Sequence, residues 1–255
     1  RPVVALPGWD SGGGNRIIQT PDGDLIMFWF KARRSNPDAH EYHVYPTWST
    51  DYGHTWGPFG PELQLFPGWT EPHAVGHMHV LSDGRWMMSV YGSDQVGGTT
   101  YSGVAFSDDR GQTWGDMSVV ARGPTASFYE TALIRLKDGR FLAAIRTQDP
   151  PFSTYRAYSE DEGRTWTHPE PLPFLGQTPF LFELLSGAII CVYRDRDPAR
   201  PGMSASVTLD GGTTWEDAGR LYLGTDWNCG YPSMVRLPSG VLLCVYYSCY
   251  ENGSS

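Results

Sequence analysis

The sequence lacks the features of several large classes of protein. No apolar run approaches the length of about 20 residues that a membrane-spanning helix needs. Apolar residues do not recur with helical periodicity over any useful window, so an α-helical fold is not expected. Basic residues are in deficit, with 19 Lys and Arg against 28 Asp and Glu, and the net charge of −9 argues against nucleic-acid binding. An acidic substrate is still compatible with this charge, because arginines can be concentrated in one pocket.

Cysteine is scarce, with four in the whole chain. Cys191 and Cys244 occupy matching places in two similar apolar segments, AIICVYR and VLLCVYY, and are expected to be buried thiols. Cys229 and Cys249 are equidistant from Ser239, which lies in the turn of a predicted hairpin, so antiparallel pairing would place them opposite each other. We expect them to be close enough for a disulfide, which would fit a secreted or extracytoplasmic protein. Two unpaired thiols are the alternative.

Glycine and aromatic residues are abundant instead. The 255 residues include 30 Gly, 10 Trp and 14 Tyr with little charge, a composition typical of an all-β protein with many tight turns. A chain of this length can bury a large core, and we expect residues 1–255 to form a single domain.

An eight-residue motif, Ser/Thr-x-Asp-x-Gly-x-Thr-Trp, occurs four times. Its tryptophans are 58, 52 and 49 residues apart, and self-similarity at this period in strand-rich sequence predicts a β-propeller or a related array. We expect each copy to form a turn, in which Asp bonds the N–H two residues on, Gly supplies a positive φ and Trp packs inward. Four equivalent copies in a ring cannot all face one site, so a structural role is predicted. The copies are 49–56 (STDYGHTW), 107–114 (SDDRGQTW), 159–166 (SEDEGRTW) and 208–215 (TLDGGTTW).

Short turns of the type Asp/Ser-Gly divide the chain into five repeat units. Each turn joins two strands, and in the first four units the motif joins two more, which predicts four-stranded antiparallel blades. The fifth unit begins near residue 229, and a strand from Pro2 to Leu6 is expected to complete it, giving a propeller of five or six blades. The turns are Asp22-Gly23, Asp83-Gly84, Asp138-Gly139, Ser186-Gly187 and Ser239-Gly240, and the first four units are 13–57, 71–115, 127–167 and 175–216.

Six residues fall where propeller sites are found. The starts of the first strands and the loops after the second strands open at one end of a propeller, whereas the repeated motifs lie at the other rim. The residues collected at the first end are Arg16, Asp38, Glu130, Arg146, Arg200 and Tyr231.

The segments that contain these residues resemble segments of the sialidases (neuraminidases), and the resemblance covers nearly the whole chain. Sialidases are glycoside hydrolases in which the eight-residue motif is called the Asp-box or BNR repeat. The departures are Ile18, where the family's Arg-Ile-Pro motif has proline, and the count of five units where the family usually has six blades. Arg194 and Arg196, in VYRDRDPAR, compete with Arg200 for one position. The matching segments are NRII, SNPDAHEY, ETALIRLKDGRFLAAIR, DPARPGMSASVTLDGGTTW and GYPSMVRLPSGVLLCVYY.

The resemblance implies an exo-sialidase that releases a terminal sialic acid, or a related nonulosonic acid, with retention. Tyr231 would be the nucleophile, Glu130 the base that assists it, and Asp38 the acid and base at the leaving oxygen. The arginines at 16, 146 and 200 would bind the substrate carboxylate, since a guanidinium binds carboxylate through two parallel hydrogen bonds. A neutral phenol suits an anomeric carbon that bears a carboxylate, because an anionic nucleophile would be repelled. No cofactor or metal is required.

Further side chains leave alternatives open. His73, His77 and His79, in EPHAVGHMHV, are candidates either for a metal site or for polar lining of the pocket, and we favour His73 beside the substrate. A uronate lyase or hydrolase that uses His73 and Tyr231 is one alternative function. A non-catalytic propeller that binds acidic glycans is the other, although it would not need a base beside a phenol. Candidate sugar-stacking tryptophans are Trp9, Trp48, Trp69 and Trp227.

Overall fold

A computed structural model describes residues 11–33, 41–63, 65, 70–94, 98–124, 126–224 and 227–248, and all statements of structure concern these ranges. They contain sixteen β-strands and no helix, which agrees with the missing helical periodicity. Accordingly, a helix with the length and apolarity to cross a membrane is not found within these ranges. The chain groups into two compact units, Arg1–Tyr129 with Glu162–Thr165 and Glu130–Asp161 with Trp166–Ser255. The prediction of a single domain stays a prediction.

The first unit contains two antiparallel sheets. Strands follow one another in space as they do in sequence, so each is joined to its neighbour by a local connection. The first sheet contains β1 (Ser11–Gln19), β2 (Leu25–Arg33) and β3 (Glu41–Ser49), and the second contains β4 (Thr70–Val80), β5 (Trp86–Ser93), β6 (Tyr101–Ser107) and β7 (Gly115–Ala121).

The strands of the second unit run through a seven-stranded sheet and a final hairpin. β11 is long because its first half pairs with β10 and its second half, from Gly176, pairs with β12. It thereby completes one predicted four-stranded group and begins the next. The strands of the large sheet are β8 (Phe128–Arg135), β9 (Phe141–Thr147), β10 (Ser153–Ser159), β11 (Glu170–Glu183), β12 (Ile189–Asp195), β13 (Gly202–Thr208) and β14 (Glu216–Leu223), and those of the hairpin are β15 (Cys229–Arg236) and β16 (Leu242–Ser248).

All five predicted Asp/Ser-Gly turns join adjacent antiparallel strands, as expected. Their glycines have φ values between 86° and 93°, the left-handed region that residues with a Cβ avoid. In the first turn the N–H of Gly23 donates to the carbonyl of Thr20 at 3.0 Å, and the other four turns repeat this bond. The turns therefore set the register of the residues beside them, and irregularities farther along the strands shift it in four of the five hairpins.

The first sheet has three strands where four were predicted. Three N–H groups of the segment 57–63, those of Gly57, Gly60 and Leu63, donate to carbonyls of β3 at 2.8 Å. Pro58 and Pro61 interrupt the segment, and proline has no N–H to continue a ladder. The segment therefore covers the edge of β3 without forming a regular strand.

Burial follows the position of each strand. All seven residues of β6 are buried, as are most of β5 and β9, because central strands are covered on both faces. In the first unit the core includes Phe28, Met88 and Trp114, and in the second it includes Leu142 and Cys191. Strand β16 instead alternates half-buried and exposed residues, so only one of its faces is packed.

The eight-residue motif forms a hydrogen-bonded turn with a structural role. Asp51 accepts the N–H of Thr55 at 2.8 Å and its hydroxyl at 2.6 Å, while Ser49 Oγ donates to the same carboxylate at 2.8 Å. The same bonds recur around Asp109 and Asp210. Asp therefore bonds the residue four positions on, not two as predicted, because the intervening Gly at positive φ curls the chain around the carboxylate.

These carboxylates make the stability of the protein sensitive to acid. Hydrogen bonds from the Thr55 side chain and backbone lower the pKa of Asp51 to about 2, and those from Thr214 lower the pKa of Asp210 to about 2. The folded state therefore favours the ionised forms, and their stabilisation is present above about pH 4 and is lost as the pH falls toward 2. We expect a shallower loss of unfolding free energy over this range, measured by urea titration, in Asp51→Asn/Asp210→Asn.

The matched control is Asp108→Asn, which changes a motif side chain that is 84% exposed. It should unfold with the acid dependence of the parent protein. Equal slopes in the double variant and the parent would show that the motif carboxylates do not contribute to acid sensitivity.

The cysteine register differs from the predicted one. Cys229 pairs with Ser248, because an irregularity between Gly230 and Ser233 shifts the ladder by one residue. Uninterrupted pairing from Ser233 would have placed Cys229 opposite Cys249, which lies outside the described residues. Cys229 is buried, and the disulfide with Cys249 stays a prediction.

Candidate active site

Tyr231 lies at the register shift of β15 and has an unusual backbone. Its φ is 49° and that of Gly230 is 151°, and few residues with a side chain adopt such positive values. The N–H of Tyr231 donates to Thr178 Oγ1 of β11 at 3.3 Å. Strained backbone of this kind persists where surrounding contacts enforce it, often at functional sites. Here it inserts one extra residue into β15 at the position of the tyrosine.

The Tyr231 hydroxyl meets an ion pair. It donates to Glu130 Oε1 at 2.7 Å, and Arg146 Nη1 donates to both Glu130 oxygens at 2.9 and 3.0 Å. Arg146 Nη1 also lies 3.4 Å from the phenol oxygen. Glu130 on β8 and Arg146 on β9 belong to one hairpin, whose turn Asp138-Gly139 lies midway between them. The structure thus brings three of the predicted site residues together.

The surroundings keep the phenol protonated. Burial raises the pKa of Tyr231 above its ordinary value, the Glu130 carboxylate raises it further, and the Arg146 guanidinium lowers it by less. Although 51% of Tyr231 is exposed, its hydroxyl meets Glu130 and Arg146 side chains that are each 13% exposed. Because the phenol is neutral at neutral pH, it can act as a nucleophile only if a nearby group accepts its proton. Glu130 Oε1 is placed to do so.

Two glutamines outside the predicted set position Arg146, Gln148 directly and Gln177 through Gln148. Gln148 Oε1 accepts from Arg146 Nη2 at 2.6 Å. The buried Gln177 donates to the Thr147 carbonyl at 2.9 Å and to Gln148 at 3.2 Å. A polar residue within the apolar run of β11 was the available signal, since buried amides usually have bonded partners.

Arg194 supports the tyrosine from β12. Its Nε donates to the carbonyl oxygen of Cys229, and its Nη2 donates to the Tyr247 hydroxyl at 2.7 Å. The Tyr247 ring in turn stacks on Tyr231, with centroids 6.1 Å apart and planes 29° apart. One guanidinium therefore ties both strands of the β15–β16 hairpin to β12 beside Tyr231.

Arg196 lies in the same region between aromatic rings. Its guanidinium carbon is 4.2 Å from the Phe152 centroid and 4.7 Å from that of Trp227. Its Nε is buried and has no hydrogen-bond partner among the described residues. Burial lowers the pKa of Arg196, and the positive charges of Arg194 and Arg146 lower it further. Arg146 and Arg194 are therefore close enough to act electrostatically on Arg196.

Arg200 has carboxylate partners. Its Nη1 donates to Asp217 at 2.6 Å, its Nε lies 3.6 Å from Asp195, and the bond to Asp217 raises its pKa. Arg200 thus contacts β12 and β14, whereas Arg194 contacts the β15–β16 hairpin beside Tyr231. The role predicted for Arg200 stays a prediction.

The remaining predicted residues are placed only in part. Arg16 is on β1, where the ladder shifts between Gly14 and Ile17, and its side chain is not described. Asp38 lies outside the described residues. In the first unit His73 stacks on Tyr91, with centroids 4.6 Å apart and planes 12° apart.

The histidines proposed for a metal site and the tryptophans proposed for sugar stacking are also placed only in part. Within the described ranges, no group of three or more His, Cys, Asp or Glu side chains is arranged to hold a metal ion. His77 is buried and His79 half-buried. Trp48 packs against the core of the first unit and Trp227 is 39% exposed, while Trp9 and Trp69 fall outside the described residues.

Gly230 is expected to be essential for the geometry around Tyr231. A Cβ there would lie 2.8 Å from Arg194 Nη2 and 3.1 Å from Thr178 Oγ1. We expect Gly230→Ala to displace Arg194 and to reduce turnover by about 100-fold, because a shift of about 1 Å at a reacting group has that effect. Steady-state kinetics together with thermal unfolding would measure both consequences.

Gly240→Ala is the matched control in the same hairpin. Gly240 also has a positive φ, of 86°, but nothing lies within 4 Å of a Cβ placed there. Both variants should lose about 1 kcal/mol of stability from backbone strain. Equal turnover in the two variants would contradict the role assigned to the Gly230–Arg194 contact.

The sequence matches a known protein family and a curated relative. The family profile of the BNR repeat-like domain matches residues 10–244. A sialidase of Micromonospora viridifaciens is 27% identical over 228 residues, which cover 78% of this chain and 35% of that protein. The chain therefore spans about a third of the length of this curated relative.

Solved structures show the same fold. A protein of unknown function from Dyadobacter fermentans superposes with a TM-score of 0.82 at 24% identity, covering 98% of this chain and 76% of that one. The NanB sialidase of Streptococcus pneumoniae superposes with a TM-score of 0.67 at 16% identity, covering 92% and 53%. These likenesses confirm the predicted all-β, sialidase-like propeller fold, while the number of blades stays a prediction.

Proposed function

We propose that this chain, which belongs to the BNR repeat-like domain family, is a retaining exo-glycoside hydrolase that releases a terminal sialic acid or a related nonulosonic acid. The observation that carries the proposal is the 2.7 Å hydrogen bond from the Tyr231 hydroxyl to the Glu130 carboxylate. A binding protein has no need of a base aligned on a phenol, whereas a tyrosine nucleophile requires one.

In the first step the Tyr231 oxygen attacks the anomeric carbon and the glycosidic C–O bond breaks. The phenol proton passes to Glu130, and Asp38 gives a proton to the departing oxygen. In the second step Asp38 removes a proton from water, which attacks the anomeric carbon and breaks its bond to Tyr231, while Glu130 returns the proton to the phenol. Two displacements at one carbon give net retention. The place of Asp38 in this scheme rests on its sequence motif.

The substrate carboxylate would be bound by arginines, with Arg16, Arg146 and Arg200 as the predicted set. A bound anion would also relieve the repulsion that Arg146 and Arg194 exert on Arg196, which supports Arg194 or Arg196 as an alternative to Arg200. His73 is proposed to line the same pocket. The proposed substrate is a sialylated glycan or another acidic sugar. A protein of net charge −9 can bind such a substrate only where its positively charged side chains are concentrated in the binding pocket.

Hydrolysis of sialosides with different leaving groups tests this proposal. The protein should release sialic acid from a fluorogenic aryl sialoside and from a sialylated trisaccharide, and NMR should show the retained anomer first. Asp38→Ala should slow the trisaccharide by about 100-fold or more and the aryl sialoside far less, because a good leaving group needs no acid.

Each result that contradicts the proposed hydrolase would indicate a different alternative. Binding of sialic acid without release from either substrate would support the glycan-binding alternative. An unsaturated product from a uronate polymer would support the lyase that uses His73 and Tyr231. An inverted product would exclude the covalent mechanism.

A further inference from the structure

A cavity of about 530 Å³ lies in the first unit, away from the residues of the candidate active site in sequence. It is formed by the turn between β1 and β2, the end of β3 and the motif copy at 107–114. Its volume is within the range of about 300–1,000 Å³ that small-molecule sites occupy. The side chains relevant to its chemistry are Thr20, Asp22, Asp24, Trp48, Trp86 and Gln112.

Two indole rings give the cavity rigid apolar walls. Trp86 is 5% exposed and belongs to the core cluster of the first unit, against which Trp48 also packs. Their rings are therefore held in place whether or not a ligand is present. A flat aromatic wall beside hydrogen-bonding groups suits a ligand that is apolar on one face and polar at its edges, as a pyranose ring is.

The polar groups of the cavity are acceptors and an amide. Asp22 and Asp24 contribute carboxylates, and Gln112 contributes both donors and an acceptor. Arg110 Nη1 donates to Asp22 Oδ2 at 3.1 Å, which orients one carboxylate and partly compensates its charge. Arg110 has a φ of 58°, so its backbone adopts the sparsely populated left-handed conformation at the cavity wall.

Thr20 supplies an independent indication of a ligand. The residue is 7% exposed, lines the cavity, and its Oγ1 has no hydrogen-bond partner among the described residues. Its backbone is satisfied, because its N–H donates to the Asp24 carbonyl at 2.8 Å and its carbonyl accepts from Gly23 at 3.0 Å. A buried hydroxyl that is left unbonded is uncommon and requires an explanation, which a ligand hydroxyl would provide.

The negative charge of the cavity favours neutral sugars over acidic ones. Two carboxylates and one guanidinium leave an excess of negative charge, which would repel an acidic sugar and attract the hydroxyl hydrogens of a neutral one. We propose that this cavity binds one uncharged hexopyranose residue, with its ring against Trp48 and its hydroxyls bonded to Asp22, Asp24 and Thr20. This inference does not depend on the proposed hydrolase activity, because no residue of the Tyr231 cluster lines the cavity.

Ligand-observed NMR and tryptophan fluorescence with methyl β-galactoside and methyl β-glucoside test the proposal on the full chain. We expect at least one of them to bind with a Kd of about 1 mM, and free sialic acid not to displace it. Asp22→Asn/Gln112→Ala should weaken binding about tenfold or more while hydrolysis of the aryl sialoside is unchanged. Both side chains are exposed, so the variant is expected to fold.

Two controls separate this site from the proposed active site. Asp83→Asn changes the equivalent turn of the next hairpin, whose carboxylate bonds Arg85, and should bind the sugar like the parent. Tyr231→Phe should also retain binding. No binding by the parent, unchanged binding by Asp22→Asn/Gln112→Ala, or displacement of the neutral sugar by sialic acid would each overturn the proposal.

Discussion

Replacement of Tyr231 by phenylalanine is expected to reduce kcat by about a thousandfold or more, because it removes the oxygen that forms the covalent bond. The ring and its stacking on Tyr247 are kept, so the unfolding free energy should change by less than about 1 kcal/mol, the usual contribution of one hydrogen bond. Binding of free sialic acid, measured by calorimetry, should persist. Loss of turnover with retained fold and retained binding is the combination that identifies a nucleophile.

Tyr247→Phe is the matched control for this prediction. It removes the neighbouring hydroxyl, which accepts from Arg194 at 2.7 Å, and leaves Tyr231 and Glu130 in place. We expect it to reduce kcat by no more than about tenfold. If Tyr231→Phe and Tyr247→Phe showed similar activities, Tyr231 would not be the nucleophile.

Replacement of Arg146 by methionine is expected to cause the largest loss of stability, about 2–4 kcal/mol. Arg146 and Glu130 are both 13% exposed, so removing the guanidinium leaves a largely buried carboxylate without its charged partner. Turnover should also fall by about 100-fold or more, because the same Nη1 contacts the Tyr231 oxygen. Denaturant titration and steady-state kinetics would measure the two effects.

A double-mutant cycle separates the charge from the packing. Compared with Arg146→Met and Glu130→Gln, the double variant Arg146→Met/Glu130→Gln has no unpaired carboxylate, so part of the lost stability should return while turnover stays about 100-fold or more below that of the parent. Lys137→Met, in the turn of the same hairpin, breaks an exposed pair with Glu183 and should lose less than about 1 kcal/mol. Equal losses in Lys137→Met and Arg146→Met would contradict the importance of the buried pair.

The features that the sequence predicted correctly are local. Each Asp/Ser-Gly turn needs a positive φ at glycine and sets the register of the residues beside it, so all five hairpins followed. The same logic placed Glu130 and Arg146 on one hairpin at equal distances from its turn. Proximity of Tyr231 to this pair depended on the resemblance to sialidases, since no local rule connects residues 101 positions apart.

The features that were missed depend on irregular backbone or on distant neighbours. The extra residue at Tyr231 shifted the pairing of Cys229 by one position, and an alternating pattern cannot reveal such an insertion. The proline-interrupted segment after the first motif copy made a three-stranded sheet from a unit predicted to have four. Arg196 and Arg200 differ only in their surroundings: Arg196 lies between two aromatic rings, whereas Arg200 lies beside two carboxylates. The sequence alone does not specify these neighbours.

In the proposed mechanism the Tyr231 oxygen becomes covalently bonded to the anomeric carbon of the substrate. Incubation with a 2,3-difluorinated sialic acid, followed by peptide mass spectrometry, tests it most directly, because fluorine slows the second displacement and allows the intermediate to accumulate. We expect an adduct on Tyr231 of the parent protein and none in Tyr231→Phe. An adduct on Glu130 or another carboxylate, or turnover without any adduct and with inversion, would contradict it.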